Sequence, residues 1–146
     1  VITDTVKQLT ARGIPVCGHL GLLPQSVHRL GGYIVQGRET QAAEELIADA
    51  ISLQEAGADM LVLECVPATL GAVVSKQLDI PVIGIGAGSD CDGQVLVVYD
   101  MLGLTPGRRP RFSHDFLADT GSIQAALTNY VQSVTSGAFP NAEQQF

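Results

Sequence analysis

Three short apolar runs recur along this chain, and each ends in chemistry that a buried strand rarely carries. Ile14-Pro15-Val16-Cys17-Gly18-His19-Leu20-Gly21-Leu22 delivers a histidine, His19. Ala58-Asp59-Met60-Leu61-Val62-Leu63-Glu64-Cys65 ends on an acid, Glu64. Ile80-Pro81-Val82-Ile83-Gly84-Ile85-Gly86-Ala87-Gly88 ends on glycines. Helical sequence separates the runs. Parallel strands covered on both faces read as near-continuous hydrophobic runs, whereas half-exposed antiparallel strands alternate. The pattern therefore predicts an α/β fold around a parallel sheet. In such folds the chemistry lies beyond the carboxyl ends of the strands, which is where Glu64 and, by this reading, His19 fall.

The intervening sequence supports the same reading. Residues 4–12 have helical character and stop at Gly13. Between residues 39 and 56 the stripe Ala42, Ala43, Leu46, Ile47, Ala50, Ile51 and Leu53 follows the 3.6 period, with Gly57 as its stop. Pro67 suits the first turn of a helix that runs to Leu78. A fourth apolar run, residues 93–99, reads as a strand that ends at Asp100. A loop rich in Gly, Pro and Arg occupies 103–111, and within a C-terminal helical segment of about 113–137 the last helix is expected over Ser122–Ser136, with Ser122 as its cap and Gly137 as its stop. Four β units result, with strands near positions 14, 60, 82 and 94 and right-handed crossovers. A closed eight-unit barrel takes ~250 residues. A chain of 146 residues supplies about half of one, which leaves an open sheet or a half-barrel completed by another chain, and no linker splits it, so a single partial domain over 1–146 is expected. The first residue is Val1 and a helix follows almost at once, which reads as a chain entered partway through a β/α series.

Composition narrows the partners. A net charge of −7 argues against nucleic acid and anionic membranes. No apolar run reaches the ~18 residues of a membrane helix, and no basic, apolar leader is present, so a cytoplasmic location is expected. Hydrophobic residues make up 46% of the chain, an excess that belongs in a core or an interface. The three cysteines, Cys17, Cys65 and Cys91, form an odd set without paired spacing. They read as reduced thiols, with Cys17 and Cys65 buried in strands as small hydrophobes.

Among residues able to do chemistry, Glu64 leads. A carboxylate that interrupts an apolar strand is costly unless it is paired, protonated or used, and general acid–base work is the use such a position suits. The bland alternative is a salt bridge to a nearby loop. His19 could donate to a substrate oxygen or relay a proton, against the commoner case of a satisfied core histidine. His28 and His114 read as surface residues. The glycine run falls short of a dinucleotide fingerprint, because Ser89 stands where the third glycine belongs. Its glycines suit a tight βα turn or the close approach of a ligand. Arg38, after the long loop from Gly31, could hold a carboxylate, but a bridge to the acidic helix that follows is favoured. Asp90, Asp92 and Asp100 suit turn and cap duty better than metal ligation.

With these residues in hand, the chain resembles the ketopantoate hydroxymethyltransferase family. The likeness rests on Pro15-Val16-Cys17-Gly18-His19-Leu20-Gly21-Leu22, Pro24-Gln25-Ser26-Val27, Gly31-Gly32-Tyr33 and Val35-Gln36-Gly37-Arg38. It continues through Leu61-Val62-Leu63-Glu64-Cys65-Val66-Pro67, the run from Ile80 to Gly88, Asp92-Gly93-Gln94-Val95-Leu96-Val97 and Asp100. The resemblance implies strands five to eight of a TIM-type (β/α)8 barrel, that is, the C-terminal half. It implies transfer of a hydroxymethyl group from 5,10-methylenetetrahydrofolate to 3-methyl-2-oxobutanoate, giving 2-dehydropantoate for pantothenate synthesis. Glu64 matches the catalytic proton acceptor, and His19 matches a histidine of the substrate site. Magnesium is the implied metal, but the family's ligands and its carboxylate-binding lysine and serine lie on strands two to four. No metal ligand is therefore expected in this chain. Ile34 stands where many relatives have a basic residue.

The resemblance implies a homo-oligomer, or a partner that supplies the N-terminal half. The chain by itself is expected to bind magnesium weakly and to turn nothing over. Two rival readings stay open. One is a non-catalytic half-barrel that self-associates through unpaired sheet edges. The other is a different magnesium-dependent enzyme of 2-oxo acid enolates on the same fold.

Overall fold

The computed structural model describes residues 2–29 and 31–146. Helix α1 (Thr3–Thr10) leads into strand β1 (Cys17–Gly21), and a short 3-10 turn, Pro24–Ser26, opens the loop beyond it. Helix α2 (Thr40–Glu55) precedes β2 (Met60–Glu64), and α3 (Ala68–Gln77) precedes β3 (Val82–Ile85). The two-residue strand β4 (Gly93–Gln94) is followed by α4 (Val98–Met101), α5 (Phe116–Thr120) and α6 (Ile123–Thr135). The four strands form one parallel sheet in the order β1-β2-β3-β4. This is the α/β architecture with crossover helices that the apolar runs predict.

The sheet has two unlike faces. Along β1 and β2 burial alternates, because side chains of a strand point to opposite sides with period two. Leu20, Leu61, Leu63 and Val82 point toward the helices and pack with Val6 of α1, Leu46, Ala50 and Leu53 of α2, and Leu70 and Val74 of α3. Leu61, Leu63 and Val82 have no exposed surface. The other face carries Cys17, His19, Met60, Val62 and Glu64, and it is only partly covered: Cys17 is exposed and Met60 is 38% exposed. A second cluster, built from Leu96, Met101, Leu102, Phe116, Ala126 and Phe139, joins α4, α5 and α6 to the C-terminal segment. Phe116 stands edge-on to both Tyr130 and Phe139 there.

Several expectations need correction. Strand β1 begins at Cys17 rather than Ile14, so His19 is its middle residue and not its end. The Cys17 thiol is exposed because it lies on the uncovered face. The fourth run pairs with β3 only at Gly93 and Gln94, extended by one bond from the Val95 N–H to the Gly84 carbonyl. Beyond it the Val97 carbonyl accepts from Asp100 and Met101, so the chain turns helical where valines and a tyrosine suggested strand. The last helix, expected over Ser122–Ser136, is α6, and the C-terminal helical segment also holds the short α5. Asp115 caps α5 through the Ala118 N–H, Gly121 ends it at φ 73°, and Ser122 caps α6 through the Ala125 N–H.

Candidate functional site

Strand β2 sets Glu64 at its last position, and β1 runs beside it in register, with His19 next to Val62 and Gly21 next to Glu64. Period-two alternation puts His19 and Glu64 on the same face. The His19 Nε2 lies 3.1 Å from Glu64 Oε2, with the imidazole 34% and the carboxylate 13% exposed. With Glu64 ionised, a carboxylate can only accept, so Nε2 carries the proton and donates. That bond fixes both the tautomer of His19 and the direction of the Glu64 carboxylate.

The backbone around Glu64 is tightly held. Its carbonyl accepts from the Leu22 N–H at 2.9 Å. Gly21 passes this carbonyl so closely, at φ +88°, that a Cβ there would lie 2.0 Å from the oxygen. Cys65, directly after Glu64, has φ 49°, a left-handed conformation seldom adopted by residues other than glycine. Its N–H donates to the Ile85 carbonyl and its own carbonyl accepts from Gln36, which tie it to β3 and to the long loop. Burial, with a smaller contribution from the negative charge of Glu64, pushes the Cys65 thiol up to about 12. Cys65 is therefore a neutral thiol near neutral pH and a poor nucleophile.

Beyond these strand ends lies a cavity of about 860 Å³. Glu64, Cys65 and Ile85 contribute from the sheet, Leu22, Tyr33 and Val35 from the loop after β1, and Val97, Tyr99 and Asp100 from the start of α4. The far wall is the loop from Thr105 to Phe112, and Phe146 also takes part. His19 is not in the wall and reaches the cavity through Glu64. The glycine run serves close packing: at Gly86, φ +65°, a Cβ would meet the Phe112 ring at 2.8 Å, so the strand end and the cavity wall touch there.

The remaining candidates separate. Asp92 accepts from the Val82 N–H at 2.8 Å and so caps the start of β3. Asp100 is 6% exposed and accepts from the Thr105 hydroxyl, which pins the loop that follows. Asp90 is exposed. Among the described residues no group of three or more His, Cys, Asp or Glu side chains could hold a metal ion. Arg38 is exposed and makes no ion pair among the described residues, so the bridge expected to α2 does not form. His28 is exposed, and His114 pairs with Asp119 at 2.6 Å, away from the cavity.

Sequence reasoning missed the arginines of the cavity wall. Arg108, Arg109 and Arg111 line the cavity, and the signal was their crowding: three of the chain's eight Lys and Arg residues fall within four positions.

Comparison with known proteins gives a consistent picture. The family model described as Ketopantoate hydroxymethyltransferase matches residues 1–142. The 3-methyl-2-oxobutanoate hydroxymethyltransferase of Alkalilimnicola ehrlichii is 63% identical over 143 residues, which are 98% of this chain and 52% of that protein. The protein of the same description from Thiobacillus denitrificans is 61% identical over 146 residues, all of this chain and 55% of the relative. That from Alteromonas mediterranea is 55% identical over 145 residues. The chain spans about half the length of the curated relatives it matches. Among the described residues no helix is long and apolar enough to cross a membrane.

Proposed function

Because this chain belongs to the ketopantoate hydroxymethyltransferase family, we propose that its sheet is the C-terminal half of a (β/α)8 barrel and that Glu64 is the general base of the completed enzyme. The observation that carries this reading is the pairing of His19, midway along β1, with Glu64, which ends β2 and lies in the cavity wall. The reaction is hydroxymethyl transfer from 5,10-methylenetetrahydrofolate to 3-methyl-2-oxobutanoate, in the cytoplasm.

The task left to this chain is removal of a proton. Glu64 takes the proton from C3 of the 2-oxo acid, and the electron pair of that C–H bond becomes the enolate. C3 then forms the new bond to the methylene carbon as one of that carbon's two C–N bonds to the folate breaks, and the hydroxyl of a water molecule replaces the other. The proton held by Glu64 and the remaining proton of the water go to the two folate nitrogens, and tetrahydrofolate and 2-dehydropantoate leave. His19 holds the carboxylate aimed while it cycles between ionised and protonated forms. General-base action of this kind contributes roughly 10²–10⁴-fold in rate. Magnesium and the grip on the 2-oxo acid carboxylate are assigned, as the family resemblance implies, to residues outside 1–146.

The half-covered face supports the need for a complement. Cys17, His19, Met60 and Val62 look away from the helices of this chain. Further strands, whether from a longer chain or a second one, would close the sheet and enclose the cavity. The test is to assay the 146-residue chain alone and together with the N-terminal half of a relative. Folate-dependent formation of 2-dehydropantoate only in the mixture is the expected result. Equal turnover by the isolated chain would overturn the division of labour. No product under either condition would favour the rival, a non-catalytic self-associating fragment.

A further inference from the structure

Among the described residues Cys65 alone has a positive φ without being glycine, and it follows Glu64 directly. A residue keeps such a conformation only where its surroundings over-determine it. Two of the holds lie on β3: the Cys65 N–H donates to the Ile85 carbonyl at 2.9 Å and the Val66 N–H to the Gly86 carbonyl at 3.1 Å. A third comes from far along the chain. The Ala68 N–H, the first of α3, donates to the Phe146 carbonyl at 2.9 Å. The first N–H groups of a helix have no partner within it, and Pro67 supplies no side-chain cap. The Phe146 carbonyl fills that place.

Phe146 also closes a circuit of contacts. Its ring stands edge-on to Phe112, with centroids 6.3 Å apart and planes at 68°. Phe112 in turn lies against Gly86, whose carbonyl already holds Val66. From Val66 the chain passes through Pro67 to Ala68, and so back to Phe146. Arg111 keeps Phe146 in place by two routes. Its Nε donates to the Glu143 carbonyl at 2.9 Å, and its guanidinium lies over the Phe146 ring, 5.7 Å from the centre. The segment beside that contact is stiff, because Asn141 and Gln144 exchange side-chain-to-backbone bonds across a 3-10 turn and Gln144 is buried. Every contact in the circuit is made by residues of 1–146 with one another.

We propose that Phe146, clamped by Arg111, is a positioning residue: through Phe112 and the Ala68 N–H it fixes the turn that aims Glu64. This rests on the reading of Glu64 as the base. Neither Phe146 nor Arg111 takes part in proton transfer. Arginine suits the clamp, because a planar guanidinium can donate to a carbonyl and lie over an aromatic ring at once.

The test uses the complete enzyme containing residues 1–146 and reads both the turn and the turnover. Cys65 reports the turn, since its thiol is buried in the cavity wall. In Phe146→Ala, alkylation of Cys65 by iodoacetamide should run roughly tenfold faster, while Cys91, packed against Gly84 outside the circuit, keeps its wild-type rate. The kcat should fall about 10- to 100-fold, with the KM for the 2-oxo acid moved by no more than about twofold. Phe146→Tyr, which keeps the ring, should restore both readings, and Arg111→Ala should give the same changes in milder form. An unchanged Cys65 rate in Phe146→Ala refutes the circuit. So does an equal acceleration at Cys91, which would mean a general loosening of the fold. Faster Cys65 labelling with an unchanged kcat, in an enzyme that Glu64→Gln inactivates, refutes the positioning role. If Glu64→Gln keeps full kcat, the reading of Glu64 as base falls and takes the positioning role with it, while the Cys65 rates still decide the circuit.

Discussion

His19 and Glu64 meet diagonally across two strands: in register His19 stands beside Val62 and Glu64 beside Gly21, yet Nε2 and Oε2 are 3.1 Å apart. The pair is thus held by sheet register as much as by its own hydrogen bond. Both residues sit on strands, which suits the base proposed for Glu64, since a base must meet its proton in one orientation.

Replacing Glu64 by glutamine keeps the shape and an acceptor for His19 but removes the ability to take a proton. In the completed enzyme Glu64→Gln should lower kcat by roughly 10²–10⁴-fold, while affinity for the 2-oxo acid stays within a few-fold. Steady-state kinetics and calorimetric binding separate the two effects. An unchanged kcat would remove Glu64 from the mechanism.

Gly21→Ala tests the close approach beside it. A Cβ at 2.0 Å from the Glu64 carbonyl cannot be accommodated, and φ +88° is adverse for alanine. The variant should lose about 1–3 kcal/mol of stability and should also lose activity in the completed enzyme, because relief of the clash displaces the backbone that carries Glu64, the proposed base. Urea unfolding alongside turnover measures both, and wild-type values in both would show that the strand ends relax freely.

The cysteines make a pH-dependent prediction. The Cys65 thiol titrates at about 12 in the fold against an ordinary value of 9.0, because burial penalises the thiolate. The folded state therefore holds its proton more tightly than the unfolded state. The associated stability is complete below pH 9 and is lost as pH rises from 9 through 12. Cys91 and Tyr130, both raised by burial, act in the same direction. The urea midpoint should fall across that window, less steeply in Cys65→Ala, and a flat midpoint in wild type would contradict the assignment.

Alkylation at mildly alkaline pH gives a separate check. Cys17 is exposed and Cys65 buried, so iodoacetamide should label Cys17 first, as peptide mass spectrometry would show. Preferential labelling of Cys65 would mean that the fold opens at the site.

Much of this architecture was legible because an apolar run broken by one acid has few structural explanations. Glu64 stood out from Leu61, Val62 and Leu63 for that reason, and it does end its strand. The place of His19 was less legible. Strand limits depend on where β1 finds partners on β2, and that pairing starts at Cys17. Residues 93–99 misled for a different reason. Valines and a tyrosine favour strand in general, but the Val97 carbonyl is claimed by a helical turn and the Tyr99 carbonyl by Leu104. The arginine wall was hidden because its loop has no periodicity, and only the fold brings residues 105–112 over the end of β2 and β3. The exposure of Cys17 could not be read at all, since an apolar strand carries no mark of which face goes uncovered.

The left-handed turn at Cys65 has a wider consequence for this sheet. A ladder that repeats every two residues has no landmark of its own, and sliding by a single residue would send Glu64 toward the helices and Leu63 toward the cavity. The bend after Glu64, together with the glycine that grazes its carbonyl, acts as an index mark from which the strand is counted. Sequence changes far along β2 can then repack the hydrophobic side without altering which atom faces the ligand, which leaves the core free to vary while the phase of the site is kept.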